Sequence, residues 1–157
     1  MLRKAQINDF PALQNLYEIL FQNIAALEPN YMKEARQEEA FVQSAIREEN
    51  DFVVFVVEDN GSIQGFAIAQ LQNSPPYHAF VQQRCVYLMD LVVHPIARDK
   101  GYGKALIQCV KEWGMEKQVD YFELNVLAQN KRAIELYLRE GLSTFSFSMR
   151  MRLDGKE

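Results

Sequence analysis

Cysteine is scarce in this sequence, and its scarcity excludes two classes of protein. The chain has 157 residues but only two cysteines, Cys85 and Cys109. Two cysteines cannot build the disulfide framework of a small secreted domain, and their separation matches no short zinc-binding spacing. We therefore expect a protein of the reducing cytoplasm that binds no metal.

Long apolar runs and an excess of basic residues are missing as well. No stretch approaches the roughly 20 apolar residues that span a bilayer, and the amino terminus has no apolar run of the kind found in signal peptides. The net charge is −4, whereas nucleic-acid-binding domains carry a basic surface. We therefore expect neither a membrane nor a nucleic acid as partner.

What the chain does contain is the composition of an ordinary globular protein. It is 48% hydrophobic and 24% charged, and a chain of this length can bury a sizeable core without disulfides. No linker, repeat or low-complexity segment interrupts it. The sequence therefore predicts one domain over residues 1–157.

Strand and helix periodicities alternate along the chain, which predicts a mixed α/β fold. Strands are predicted over residues 2–7, 52–57, 63–71, 85–93 and 121–126. Helices are predicted over about 9–27, 34–49, 102–113 and 130–139. Residues 144–153 then place an apolar side chain at every second position, which is typical of a strand with one wet face. Such a strand could lend its edge to a partner copy, so a homodimer is possible.

The most informative segment joins a buried strand to a helix through a short polar turn with two glycines, Gly101 and Gly103. Glycines let main-chain amides approach a ligand closely, and a helix start leaves unpaired N–H groups at the positive end of its dipole. Arg98, Lys100 and Lys104 add positive charge. Together these features indicate a site for a phosphate or pyrophosphate.

Two familiar glycine-rich phosphate loops do not match this turn. The Walker spacing is absent, and the dinucleotide fingerprint G-x-G-x-x-G is interrupted because Leu106 stands where the third glycine belongs. The pattern that remains is R-x-x-G-x-G, from Arg98 to Gly103.

This pattern, between a strand ending in Leu-x-Val and a helix, resembles the pyrophosphate loop of the GNAT superfamily of N-acetyltransferases. Residues 124–142 resemble the second signature of that family, in which an asparagine (Asn130) opens a helix and an aromatic residue (Tyr137) follows seven positions later. The resemblance is clear over residues 85–145. It implies a GNAT-like fold, with a central, mostly antiparallel sheet flanked by helices. It also implies that acetyl-CoA gives its acetyl group to a primary amine of a small molecule or peptide.

The resemblance also implies roles for individual residues. Tyr137 would protonate the departing thiolate as general acid, although a packed aromatic would satisfy the same position. Asn130 would contact the cofactor, although asparagine also caps helices. Main-chain groups on the strand would hold the pantetheine arm, namely those of Leu91, Val92 and Val93. Main-chain groups of the turn would wrap the pyrophosphate, namely those of Arg98, Asp99, Lys100, Gly101, Tyr102, Gly103 and Lys104.

The general base is less clear, because neither carboxylate that relatives use is present. Asn125 and Tyr87 stand at the two usual positions. Asp90 is the nearest acid, but strand alternation places it on the face opposite Leu91 unless a bulge redirects it. Glu123 is a second possibility. We therefore name Asp90 as the candidate base.

The acceptor pocket is predicted from loops, where Tyr31 and Tyr77 could line it. Two other functions fit the same pattern. The protein could bind acyl-CoA without catalysis, as the missing carboxylates allow, or it could use a longer acyl-CoA, since the glycine turn contacts only the nucleotide end.

Overall fold

Five strands form one mostly antiparallel sheet in the computed structural model, which describes residues 1–156. The strands follow one another in the order of the chain: β1 (Leu2–Lys4), β2 (Phe52–Asp59), β3 (Ser62–Asn73), β4 (Arg84–Val93) and β5 (Tyr121–Leu124). β1 to β4 pair antiparallel, whereas β5 pairs parallel with β4. Within the same residues 1–156, four α-helices accompany the sheet: α1 (Phe10–Leu27), α2 (Glu39–Ile46), α3 (Tyr102–Glu116) and α4 (Lys131–Arg139).

The helices cover both faces of the sheet, because successive strand residues point to opposite sides. Val54 and Val56 of β2 belong to a core that includes residues of α1 and α2. Val53 and Val57 belong to a second core, with residues of α3 and partly buried residues of α4. The predicted fold class, a mixed α/β protein with a central antiparallel sheet, is confirmed.

β4 and β5 separate partway along their length. They pair from Cys85 to Leu88 on the β4 side, so that edge of residues 89–93 meets no strand of residues 1–156. A bulge interrupts β4 at the same place, since Leu88 and Asp90 face consecutive residues of β3 and Met89 is the extra residue. We call the gap between residues 89–93 and the chain after Leu124 the β4–β5 cleft.

Several predicted boundaries shift where tertiary contacts intervene. β1 ends at Lys4 and β5 at Leu124, both earlier than predicted. α2 begins at Glu39, because residues before it are held in an irregular path. There Gln14, buried on α1, donates to the Gln37 carbonyl and accepts from its N–H, both at 2.9 Å.

The predicted strand over residues 144–153 is wrong, since this tail pairs with no strand among residues 1–156. Its alternating apolar side chains remain 82–91% exposed: Phe145, Phe147, Met149, Met151 and Leu153. The tail contacts the loop after α1 through polar side chains, with Arg152 Nη1 3.3 Å from the Asn30 carbonyl oxygen. Alternation alone cannot make a strand, because the backbone also needs a partner.

Two further features concern the chain as a whole. Cys85 and Cys109 are both unpaired. Among the helices of residues 1–156, none has the length and apolar character needed to cross a bilayer.

Candidate functional site

The glycine turn between β4 and α3 has an unusual backbone. Asp99 and Gly101 both adopt the left-handed conformation, with φ of 67° and 82°. Glycine reaches this region without steric cost, and aspartate tolerates it better than most residues. Left-handed residues within a turn curl the chain and direct neighbouring amides into one concave surface.

The amides of this turn are free to bind a ligand. The first main-chain bond of α3 runs from the Ala105 N–H to the Gly101 carbonyl at 3.0 Å. Within residues 1–156, the N–H groups of residues 99–104 donate to no other residue, and Gly101 provides no side-chain cap. With Arg98, Lys100 and Lys104 nearby in the chain, the turn fits a diphosphate.

Three contacts fix the turn against the rest of the protein. The Tyr102 hydroxyl donates a hydrogen bond to the Asp59 carboxylate at the end of β2. On the exposed side, Arg132 Nη2 lies 3.1 Å from Asp99 Oδ1. A Cβ added at Gly103 would lie only 3.1 Å from Leu136 Cδ2. Gly103 therefore also lets α4 pack on the start of α3, a role that the sequence pattern did not reveal.

The open edge of β4 offers main-chain groups beside this turn. The His94 N–H donates to the Gln64 carbonyl of β3 at 2.7 Å. Because the direction of N–H and C=O groups alternates along an antiparallel ladder, those of Leu91 and Val93 point away from β3 and into the cleft. By the same alternation, the main chain of Val92 points toward β3, and its side chain is buried in the α1 core.

Asp90 points toward α1, on the face opposite Leu91 that strand alternation predicts, because residues 90–93 alternate regularly beyond the bulge. Its carboxylate Oδ2 accepts a hydrogen bond from the Tyr17 hydroxyl at 2.8 Å. Burial raises the pKa of Asp90 to about 6, although the Tyr17 hydrogen bond partly opposes the shift. Sequence reasoning missed Tyr17, because a tyrosine within the apolar stripe of a helix looks like any other core residue.

Tyr137 lies on the other side of the sheet from Tyr17. It packs against the same core as Leu91 and Val93. Burial first, and then the negative charge of Asp90, raise the pKa of Tyr137 to about 12. The structure therefore brings the two predicted catalytic side chains within electrostatic reach of each other, with a neutral phenol near a titratable carboxyl.

Asn130 is the N-cap of α4. Its side-chain oxygen accepts from the Ala133 N–H at 3.3 Å. The side-chain oxygen of Asn130 therefore caps the helix, while the N–H groups of the same side chain remain available to a ligand.

Tyr87 and Asn125, the two positions at which the resemblance predicts a carboxylate, contact each other. Asn125 Nδ2 donates to the Tyr87 hydroxyl at 2.9 Å, which forms a neutral pair where β4 and β5 diverge. Glu123 faces Tyr87 in the strand register, and its charge acts on the pKa of Cys85 and Tyr121. Glu123 therefore lies toward the paired end of the two strands.

The two predicted acceptor residues make separate contacts. The Arg150 guanidinium of the tail stacks over the Tyr31 ring, with its carbon 4.5 Å from the ring centroid. Tyr77 is 68% exposed, and its ring lies 6.3 Å from that of Phe80. Since Tyr77 precedes β4 and the glycine turn follows it, the length of that strand separates them.

Comparison with protein families identifies a match over most of the chain. The model of the acetyltransferase (GNAT) family matches residues 11–142.

Curated relatives match over shorter lengths. The chain is 30% identical over 103 residues to the uncharacterized N-acetyltransferase YhfO of Bacillus subtilis, a match that covers 66% of each protein. It is 41% identical over 54 residues to thialysine N-epsilon-acetyltransferase of Sus scrofa, which covers 34% of this chain and 32% of that protein. The matches thus span just under two thirds of the first relative and about one third of the second.

Solved structures share the fold over nearly their whole length. A crystal structure of a mutant BH1408 protein from Bacillus halodurans superposes with a TM-score of 0.92 at 23% identity, covering 98% of this chain and 99% of that one. The aminoglycoside N-acetyltransferase AAC(6')-Iy in complex with CoA superposes with a TM-score of 0.72 at 16% identity, covering 97% and 98%.

Asp90→Asn should stabilise the protein in a manner that depends on pH. Folding raises the pKa of Asp90 from 3.8 to about 6. As the pH rises through this range, the unfolded chain loses the Asp90 proton before the folded chain does, so the folded state becomes less stable relative to the unfolded one. Asparagine never ionises. We expect the variant to gain on the order of 3 kcal/mol well above pH 6 and little near pH 4. Urea unfolding at both pH values measures this, with the exposed Asp51→Asn as control. An equal difference at the two pH values would contradict the burial argument.

Proposed function

This chain belongs to the acetyltransferase (GNAT) family, and from that premise we propose that it is an N-acetyltransferase that moves the acetyl group of acetyl-CoA to a primary amine. The observation that carries the proposal is the row of unpaired amides over residues 99–104, beside the open edge of β4. The acceptor is a small molecule or the amine of a peptide.

The relatives support an amine as acceptor. Their names specify aminoglycoside and thialysine N-acetylation, and those two acceptor classes share an amino group. AAC(6')-Iy was crystallised with CoA, which supports coenzyme A as the carrier in this fold.

Each part of the site fits one part of acetyl-CoA. Seven residues are proposed to hold the diphosphate, chiefly through main-chain amides: Arg98, Asp99, Lys100, Gly101, Tyr102, Gly103 and Lys104. Leu91 and Val93 offer main-chain groups to the pantetheine arm, and Val92 holds their strand against β3. Asn130 offers its amide to the same arm. Acetyl-CoA supplies the activated acetyl thioester.

The proposed chemistry is a direct attack within a ternary complex. The amine nitrogen attacks the thioester carbon, and the carbon–sulfur bond breaks. Asp90 accepts the proton that the nitrogen loses, directly or through water, since a carboxyl with a pKa of about 6 is ionised at neutral pH and more basic than an ordinary aspartate. Tyr137, which stays protonated at neutral pH, donates to the departing sulfur.

An acyl-enzyme intermediate fits the cysteines poorly. Cys85 is buried, and burial raises the pKa of both its thiol and that of Cys109. A thiol with a raised pKa is less often the thiolate that nucleophilic catalysis requires.

A non-catalytic acyl-CoA-binding protein is the second candidate function. The neutral Tyr87–Asn125 pair favours it, because it stands where the resemblance to relatives predicts a carboxylate. A longer acyl donor also remains compatible, since the glycine turn contacts only the diphosphate.

We also propose that residues 1–157 form one domain of a cytoplasmic protein. A single sheet contains every strand of residues 1–156, and both cysteines are unpaired, as a reducing compartment favours.

A homodimer is proposed from the tail, residues 144–153. Five apolar side chains on alternate positions are 82–91% exposed, and β5 at the end of the sheet has an edge that pairs with no described strand. One chain thus carries both an irregular segment with the alternating pattern of a strand and a sheet edge that pairs with no strand of residues 1–156. Two copies that exchange tails would satisfy both, and the exchange closes after two chains.

Gly101→Asp should weaken binding of coenzyme A by at least about tenfold, because it adds a carboxylate to the cradle for the diphosphate. Gly61→Asp is a matched control. Both glycines have positive φ, and an added Cβ at either meets nothing within 4 Å, so the backbone strain is similar. Titration calorimetry with CoA measures the affinities. An equal loss in both variants would show that the turn does not hold the diphosphate.

Turnover should be detectable as release of free thiol from acetyl-CoA in the presence of a panel of polyamines, aminoglycosides, amino acids and peptides. Tyr137→Phe should then lower kcat by about a hundredfold and leave CoA affinity unchanged, since only the donated proton is lost. Tyr121→Phe removes another phenol and should leave kcat unchanged. Tight CoA binding without turnover on any acceptor would favour the non-catalytic function.

Light scattering should give the mass of a dimer for the native chain. The double variant Phe145→Ser with Phe147→Ser should be a monomer, because it loses the apolar face that the dimer would bury. Ser146→Asn with Ser148→Asn alters the alternate positions of the same segment and should remain dimeric. A monomeric native chain at high micromolar concentration would rule out the exchange.

A further inference from the structure

The buried hydrogen bond between Tyr17 and Asp90 joins two distant parts of the chain. The residues are 73 positions apart, on α1 and on the β4 bulge, and the Tyr17 oxygen lies 2.8 Å from Asp90 Oδ2. Tyr17 is only 1% exposed. Water therefore cannot replace this donor without a rearrangement of the α1 core.

The Tyr17 ring is held in place by aromatic neighbours. Its centroid lies 4.8 Å from that of Phe66 on β3 and 5.5 Å from that of Phe21 on α1. Rotation of the ring about its own axis does not move the hydroxyl oxygen. The donor thus occupies one fixed point, and the carboxylate must meet it there.

We propose that Tyr17 is a positioning residue for the transfer reaction, whose hydroxyl holds one oxygen of Asp90 and leaves the other free, in the ionised form, to take a proton. Within residues 1–156, no side chain or amide donates to Asp90 Oδ1. This inference deepens the proposed function and rests on it, since it gives Asp90 the role of base.

The surroundings of Asp90 explain why a hydrogen bond is needed. Two phenols face this carboxyl: Tyr17 from α1 donates the hydrogen bond to it, and Tyr137 from α4 has its pKa raised by the charge of Asp90. Neither phenol is a cation. Burial disfavours the carboxylate, and the Tyr17 hydrogen bond is the interaction that opposes burial. Burial and the charge of Asp90 raise the pKa of Tyr17 well above its usual value, so Tyr17 remains a donor.

Tyr17→Phe tests the inference, because it keeps the ring and removes only the hydroxyl. Without the donor, the carboxylate is less stable and the pKa of Asp90 rises, by about one pH unit for a charge-assisted bond. The rise of kcat/KM with pH should then shift upward by about one unit. Activity should fall by roughly tenfold well below the midpoint and recover at high pH.

Phe21→Leu is the matched control, since it disturbs the same ring cluster but leaves the hydroxyl. A purely structural role for Tyr17 would lower thermal stability in both variants and move neither midpoint. The titration of the Asp90 carboxyl carbon by NMR, in the protein without substrate, provides a readout that does not depend on catalysis.

The two measurements separate the possible failures. If Tyr17→Phe leaves the NMR midpoint of Asp90 unchanged, the inference is overturned whatever the rates show. If the NMR midpoint rises while the midpoint of kcat/KM stays fixed, Tyr17 does control Asp90, but Asp90 is not the base of the proposed function. A parallel rise of both midpoints, absent in Phe21→Leu, supports the two assignments together.

Discussion

The divergence of β5 from β4 beyond Leu88 is the constraint on which the rest of the site depends. Because β4 pairs with β5 over Cys85–Leu88, the same edge of residues 89–93 has no strand partner in the described part of the chain. Backbone groups away from water need hydrogen-bond partners, so this edge is suited to an extended ligand. The bulge at Met89 occurs at the same point. It lets one short segment present both main-chain groups to the cleft and a carboxylate to α1.

Burial then sets the chemistry of the side chains around that segment. Asp90 carries its charge among phenols and apolar residues, so its pKa rises to about 6, while that of Tyr137 rises to about 12. The two shifts have the same cause, which is desolvation of the charged form. Near neutral pH the result is a carboxylate close to its own titration range beside a phenol that keeps its proton. An acid–base pair needs such complementary states.

The two glycines of the turn serve both the packing of helices and the proposed binding of a ligand. Gly101 adopts a positive φ at the start of α3, whereas Gly103 permits contact between α3 and Leu136 of α4. Asn130 caps α4 and Tyr137 lies on it, so the close packing of this helix helps to position both side chains. The Tyr102–Asp59 and Arg132–Asp99 contacts add to this arrangement. The glycine spacing therefore serves helix packing as much as access of a ligand to the main chain.

The sequence by itself determined the order of elements, the fold class and the place of the glycine turn, because these follow from local periodicity, turn residues and the R-x-x-G-x-G pattern. Only the tertiary structure decided where the chain departs from its local preferences. Gln14 holds Gln37 out of a helix, and no strand in residues 1–156 lies beside the alternating tail. The Met89 bulge, the Tyr17–Asp90 bond and the Tyr87–Asn125 pair were equally hidden. Each joins residues far apart in the chain, and periodicity within one segment carries no information about such contacts.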